Sequence, residues 1–267
     1  MNTQAQAPLL DVVDLVKQFG GLAATNHANL RVAQGELHAL IGPNGAGKTT
    51  LIHQLSGALA PTAGRILFQG QDITAMPMHQ RVHAGLARSY QITSIFQRLT
   101  VQDNLALALQ SRLGSSMRFF RPARAERRRY EQADALAAQV GLAARLQHTA
   151  GALSHGEQRQ LEVGMVLALQ PQLMLLDEPL AGMGAEESER MVQLLLALKT
   201  TSTVLLVEHD MDAVFRLADR VSVLVAGSVI ATGTPESIRA DAQVRQAYLG
   251  DEGSAAMAAA ASTGVAR

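Results

Sequence analysis

Apolar positions along the chain follow two rhythms. Residues 9–16 and 28–32 hold short apolar runs of strand length, broken by Gly20-Gly21. Leu37 to Ile41 is a further short apolar strand. It runs into Gly42-Pro43-Asn44-Gly45-Ala46-Gly47-Lys48-Thr49-Thr50. Leu51, Ile52, Leu55 and Leu59 then recur at helical spacing, and Pro61 and Gly64 are expected to end that helix. Arg65 to Phe68 reads as another strand, turned by Gly70. From about 92 to 169 the rhythm changes. Leu105, Leu107 and Leu109, then Leu136, Val140, Leu142 and Leu146, lie in Ala-rich stretches that read as helical. Strand and helix then alternate: strand 173–176, helix 186–199, strand 203–207, helix 210–218, strand 221–225. Ala226-Gly227-Ser228 reads as a hairpin turn into a strand over 228–231. This pattern predicts an α/β core with an inserted α-helical lobe. Residues 251–267 are rich in Ala, Ser, Gly and Thr and read as a disordered tail.

Composition narrows the chemistry. The 267 residues include no Cys, which removes disulfides, thiol nucleophiles and Cys-ligated metals. Lys plus Arg (23) equals Asp plus Glu (23), so no overall field favours nucleic acid, and no nucleic-acid partner is expected. Seven arginines crowd the span from Arg112 to Arg129, beside Phe119, Phe120 and Tyr130. That cluster reads as a solvated face or as a membrane-facing surface of the lobe. No apolar run approaches the ~18 residues that a spanning helix needs, and the polar N-terminus is not expected to be a signal peptide. Only three residues are Lys, and one of them, Lys48, stands inside the glycine loop.

Gly42 to Thr49 fits the phosphate-loop pattern G-x-x-x-x-G-K-[ST], with a strand before it and a helix after. Glycines there let backbone N–H groups of the loop, Gly42, Asn44, Gly45, Ala46, Gly47 and Thr50 among its residues, converge on phosphate oxygens. The helix N-terminus adds positive potential. Lys48 is placed to reach the β/γ-phosphates of a nucleotide, as in kinases and GTPases too, and the Thr49 hydroxyl to ligate Mg²⁺. The apolar run Leu173 to Leu176 ends in Asp177-Glu178. An acidic pair at a solvent-facing strand end suits Asp177 to the Mg²⁺ shell and Glu178 to the role of general base toward water.

Leu153-Ser154-His155-Gly156-Glu157-Gln158 resembles the L-S-G-G-Q signature of ATP-binding cassette (ABC) ATPases. Further motifs of that family stand in order. Phe19 matches the aromatic that stacks on adenine, and Gln91 the Q-loop glutamine. Ala181-Gly182-Met183-Gly184 matches the D-loop, and His209 in Glu208-His209-Asp210 the switch histidine. The resemblance covers residues 9–250 and implies an α/β P-loop NTPase core with an N-terminal antiparallel β region, working as a head-to-tail pair of ATPase subunits, identical or paralogous. Each ATP lies between one phosphate loop and the other chain's Ser154, Gly156 and Glu157, which open a helix near Glu157. It also implies Gln91 on Mg²⁺ and the attacking water, and His209 on the γ-phosphate.

Gln18-Phe19-Gly20-Gly21, Ala181-Gly182-Met183, Glu208-His209-Asp210-Met211 and the ending Val244 to Gly250 resemble the ATPases of branched-chain amino acid and amide importers. The resemblance implies two membrane permeases, an extracytoplasmic solute-binding protein and a peripheral place on the cytoplasmic face of the inner membrane. Lipid or lipopolysaccharide exporters carry a similar cassette. Soluble ABC ATPases acting on DNA or the ribosome fit less well, since Gln91 and Leu153 are only 62 positions apart with no sustained heptads, and there is one cassette. Two residues depart from the family pattern, His155 and Gly184. Because Lys48, Asp177, Glu178 and His209 are intact, an active ATPase is expected.

Overall fold

The computed structural model describes residues 7–89, 95–112 and 127–249. Gln91, most of the arginine cluster and the tail lie outside them. A hairpin opens the chain: β1 (Leu10–Phe19) and β2 (Leu22–Val32) pair antiparallel across Gly20-Gly21. β3 (Leu37–Ile41) feeds the glycine loop and α1 (Lys48–Ser56). That helix stops earlier than Leu59 and Pro61 suggest. Gly57 takes φ +81° and its amide closes back on the Gln54 carbonyl, a left-handed cap that glycine adopts without penalty.

β4 (Ala63–Phe68) and β5 (Gln71–Asp72) complete a four-stranded antiparallel sheet of order β2-β1-β4-β5. α2 (Met78–His83) leads to the short β6 (Leu86–Arg88). Then come α3 (Val101–Arg112), α4 (Arg127–Gln139) and α5 (His155–Ala168). Leu142 and Leu146 lie outside α4, in a turn and at the end of a 3₁₀ segment, because Gly141 takes φ +79°. Asn104, fully buried on α3, accepts from the Phe96 amide at 2.8 Å and donates to the Thr100 carbonyl at 2.9 Å, tying the segment before α3 to it.

The core resumes with β7 (Leu173–Asp177), α6 (Ala185–Lys199), β8 (Thr203–Val207), α7 (Met211–Leu217), β9 (Arg220–Val225), β10 (Ser228–Gly233), α8 (Pro235–Ala240) and α9 (Ala242–Leu249). The second sheet runs β10-β9-β3-β8-β7-β6, parallel except for β10.

Apart from His38, Thr203 and Asp177, its three central strands are apolar because both faces are covered. Leu37, Ala39, Ile41, Met174, Leu176, Val204 and Leu206 face a core shared with the helices. Leu40, Leu173, Leu175, Leu205 and Val207 face the opposite side, against α1 and the antiparallel sheet. Alternation thus divides each run between two cores. The loops at the C-terminal ends of β3, β7 and β8 come together at one edge, where such sheets place their ligands.

Candidate active site

The glycine loop leaves β3 and turns through an Ala46 amide bonded to the Pro43 carbonyl at 3.2 Å. Its glycines serve the protein's own packing as well as any ligand. A Cβ on Gly47 would lie 2.2 Å from the Ala24 carbonyl oxygen, and one on Gly42 would lie 2.1 Å from that of Leu224. Gly45 has open space, but φ +77°. Lys48 folds back over the loop, donating to the Gly42 carbonyl at 2.6 Å and to Pro43 at 3.0 Å. Burial lowers its amine pKa, while the charges of Glu178 and Asp177 act to raise it. Asn44, Gly45 and Thr49 are exposed, Thr50 is half-buried and Ala46 is buried.

Asp177 is not at a solvent-facing strand end. It is 2% exposed at the end of β7, which corrects the expectation. A counter-charge makes the burial tolerable: Arg88 Nη2 on β6 lies 2.9 Å from Asp177 Oδ2. Asp177 Oδ1 is buried with no hydrogen-bond partner. Glu178 follows at φ +49°, a left-handed conformation that costs a non-glycine residue about 1 kcal/mol or more. Its amide donates to the Val207 carbonyl at 2.9 Å, which pins it beside β8. His209 Nδ1 is 3.9 Å from Glu178 Oε1, with its ring largely exposed. Glu208 is buried and accepts from the Leu180 amide at 2.8 Å, tying the end of β8 to the turn after Glu178; burial raises its carboxyl pKa.

The signature segment lies elsewhere. α5 starts at His155, two residues before the expected Glu157, because Ser154 and Glu157 form a reciprocal cap. The Glu157 amide donates to Ser154 Oγ at 3.2 Å, and the Ser154 amide to Glu157 Oε2 at 3.0 Å. Glu157 also takes an ion pair from Arg145 at 2.8 Å. Ser154 Oγ donates to Glu187 Oε1 at 2.8 Å. Hydrogen bonds from that hydroxyl, then from the Gly184 and Gly156 amides, hold the Glu187 carboxyl below its ordinary range. A Cβ on Gly156 would lie 2.7 Å from the Glu187 carboxyl carbon. Gly184 is the N-cap of α6 and has no side chain to cap it. A cavity of about 700 Å³ opens here, lined by Ser154, Gly156, Glu157 and Glu187 but by no residue of the phosphate loop.

The structure thus brings Lys48 near Asp177 and Glu178, and His209 near Glu178, while Ser154, Gly156 and Glu157 stand in a separate group. Phe19 ends β1, half exposed, with Lys17 Nζ 5.3 Å from its ring centre. Gln91 is outside the described residues. Two participants went unseen in the sequence, Arg88 and Glu187. The signal for Arg88 is a lone arginine in an otherwise apolar strand beside the acidic one. Glu187 has no local signal.

Among the described residues no group of three or more His, Asp or Glu could hold a metal. Mg²⁺ binds through one or two carboxylates plus substrate phosphates and waters. The orphaned Asp177 oxygen and the Thr49 hydroxyl are hard oxygen donors that fit it.

A family model described as ABC transporter matches residues 25–181, and one described as Branched-chain amino acid ATP-binding cassette transporter matches residues 228–254. The high-affinity branched-chain amino acid transport ATP-binding protein BraF of Pseudomonas aeruginosa is 38% identical over 251 residues, 91% of this chain and 98% of the relative. The lipopolysaccharide export system ATP-binding protein LptB of Haemophilus influenzae is 33% identical over 245 residues, 91% and 98% respectively. The ADP conformation of MJ1267, an ATP-binding cassette of an ABC transporter, superposes with a TM-score of 0.80 at 28% identity, covering 92% of this chain and all of that one.

Proposed function

The chain belongs to the ABC transporters as an ATP-binding, ATP-hydrolysing subunit, and from that premise we propose that it powers uptake of branched-chain or related amino acids. The match over residues 228–254 carries the importer reading, since it lies beyond the ATPase motifs that importers and exporters share. The higher identity to BraF than to LptB supports it too. No helix among the described residues is long and apolar enough to cross a membrane. In this reading residues 9–250 form one cassette with the helical lobe at about 92–169. It works at the cytoplasmic membrane face beneath two permeases, in a pair with a second ATPase subunit, and a solute-binding protein delivers cargo from outside.

ATP would lie on the glycine loop with its adenine against Phe19. Lys48 Nζ then exchanges the Gly42 and Pro43 carbonyls for β- and γ-phosphate oxygens. Thr49, Asp177 and Gln91 would hold Mg²⁺, which supplies positive charge against the phosphates. Glu178 takes a proton from the attacking water. The water oxygen bonds to the γ-phosphorus, the bond to the bridging β–γ oxygen breaks, and ADP and phosphate result. His209 orients Glu178 and the γ-phosphate. Since the transition state is loose, positioning and charge carry most of the catalysis. The partner's Ser154 and Gly156 complete the site.

Deleting the gene and measuring uptake of labelled leucine, isoleucine and valine tests the importer reading. Lost uptake, restored by the wild-type gene and not by Glu178→Gln, is expected. Normal uptake together with defective lipopolysaccharide export would overturn it.

A further inference from the structure

We propose that Arg88 is a positioning residue for hydrolysis: its guanidinium holds one oxygen of Asp177 so that the other is presented to the divalent cation. The proposal rests on the reading of Asp177 as a metal ligand.

The two side chains meet deep in the protein, Arg88 4% and Asp177 1% exposed, at 2.9 Å. They come from adjacent parallel strands, with Arg88 in register with Leu175. The Ser89 amide bonds to the Leu175 carbonyl at 2.9 Å, so the backbone beside the pair is fixed. Arg88 Nη1 also reaches Ser56 Oγ at 3.4 Å, at the end of α1. One guanidinium therefore touches both the last residue of the helix that the phosphate loop starts and the acidic strand.

A charge pair needed only for stability is replaceable by packed apolar side chains. Native folds also rarely leave a buried carboxylate oxygen without a donor. Here Oδ2 is held while Oδ1 stays bare, within a strand whose other side chains are fully buried and apolar. A planar guanidinium on Oδ2 fixes the carboxylate plane, and with it the direction of the Oδ1 lone pairs. That is what an oxygen ligand for a hard cation requires.

The test compares Arg88→Met, Arg88→Lys and Asp177→Asn in the full chain. Mn²⁺ is titrated onto nucleotide-loaded protein by electron paramagnetic resonance, and nucleotide is titrated separately in EDTA. Arg88→Met is expected to weaken Mn²⁺ binding about tenfold or more, the scale of outer-shell losses at metal sites, while metal-free nucleotide affinity holds. Arg88→Lys keeps the charge without the fork and should recover only part of the loss. Wild-type Mn²⁺ affinity in a folded Arg88→Met protein would overturn the proposal. So would an equal fall in both affinities, the mark of a merely structural role. If Arg88→Met does not fold, Arg88→Lys decides: undiminished Mn²⁺ affinity there rules out the fork. Asp177→Asn separates the premise, because Mn²⁺ binding unaffected by that change would refute Asp177 as a ligand whatever Arg88 does.

Discussion

The Ser154 hydroxyl donates to the Glu187 carboxylate at 2.8 Å, so the group proposed to meet a phosphate already holds an anion. The Gly156 and Gly184 amides turn toward the same carboxylate, which therefore spans the N-termini of α5 and α6. Anions are favoured at helix N-termini. For a partner's γ-phosphate to take that place, Glu187 has to leave.

Removing the carboxylate should ease closure of the ATPase pair. In a Glu178→Gln background, expected to bind ATP without activating water, Glu187→Gln is expected to shift ATP-driven dimerisation to lower ATP concentration. Sedimentation velocity across an ATP series measures this. A midpoint unchanged or moved to higher ATP would mean that Glu187 is no obstacle.

Acid should weaken the surface of α6 in a defined window. Glu189 accepts from both terminal nitrogens of Arg216 at 2.8 Å, and that pairing lowers its carboxyl to about 2. A depressed folded value means stability is present above the unfolded pKa, ~4.3, and is lost as pH falls toward about 2. Both side chains are half exposed, so salt should shrink the effect. Urea midpoints of wild type and Arg216→Met at pH 6 and pH 3 should converge at the lower pH; equal differences at both would contradict the assignment.

Lys48→Ala should weaken ATP binding itself. A charge-assisted hydrogen bond is worth about 1.5–3 kcal/mol, which is roughly ten- to a hundredfold in affinity. Calorimetric titration with a non-hydrolysable ATP analogue reads it directly, and an unchanged dissociation constant would remove Lys48 from the phosphate site.

Two loop glycines should part company in stability without nucleotide. Gly47→Ala puts a methyl 2.2 Å from the Ala24 carbonyl oxygen at φ +102°, so backbone has to move. A loss of about 3 kcal/mol or more is expected. Gly45→Ala meets nothing within 4 Å and carries only its φ of +77°, about 1–2 kcal/mol. Urea denaturation of the apo proteins checks the order; equal losses would show that the Ala24 contact yields freely.

Much was legible along the chain, because strands, the phosphate loop and the α6 and α7 helices are local in origin. Leu37 to Ile41 matches its strand residue for residue, since nothing but an apolar run bounded by Gly35 and Gly42 is needed. Boundaries slipped where a single backbone angle decided. Gly57 ended α1 before Pro61 could, and Ser154 with Glu157 started α5 two residues early.

Local spacing and residue type were enough to determine the alternating α/β core, the glycine loop and the acidic pair at the end of β7. Only tertiary structure decided that Asp177 is buried, because its counter-charge sits 89 positions away on a strand that pairs with its own. Likewise Ser154 and Glu187 meet across 33 positions because α5 and α6 pack with their N-termini together. Electrostatic partners over such separations are chosen by the sheet order and helix packing, and neither leaves a period or a motif in the chain.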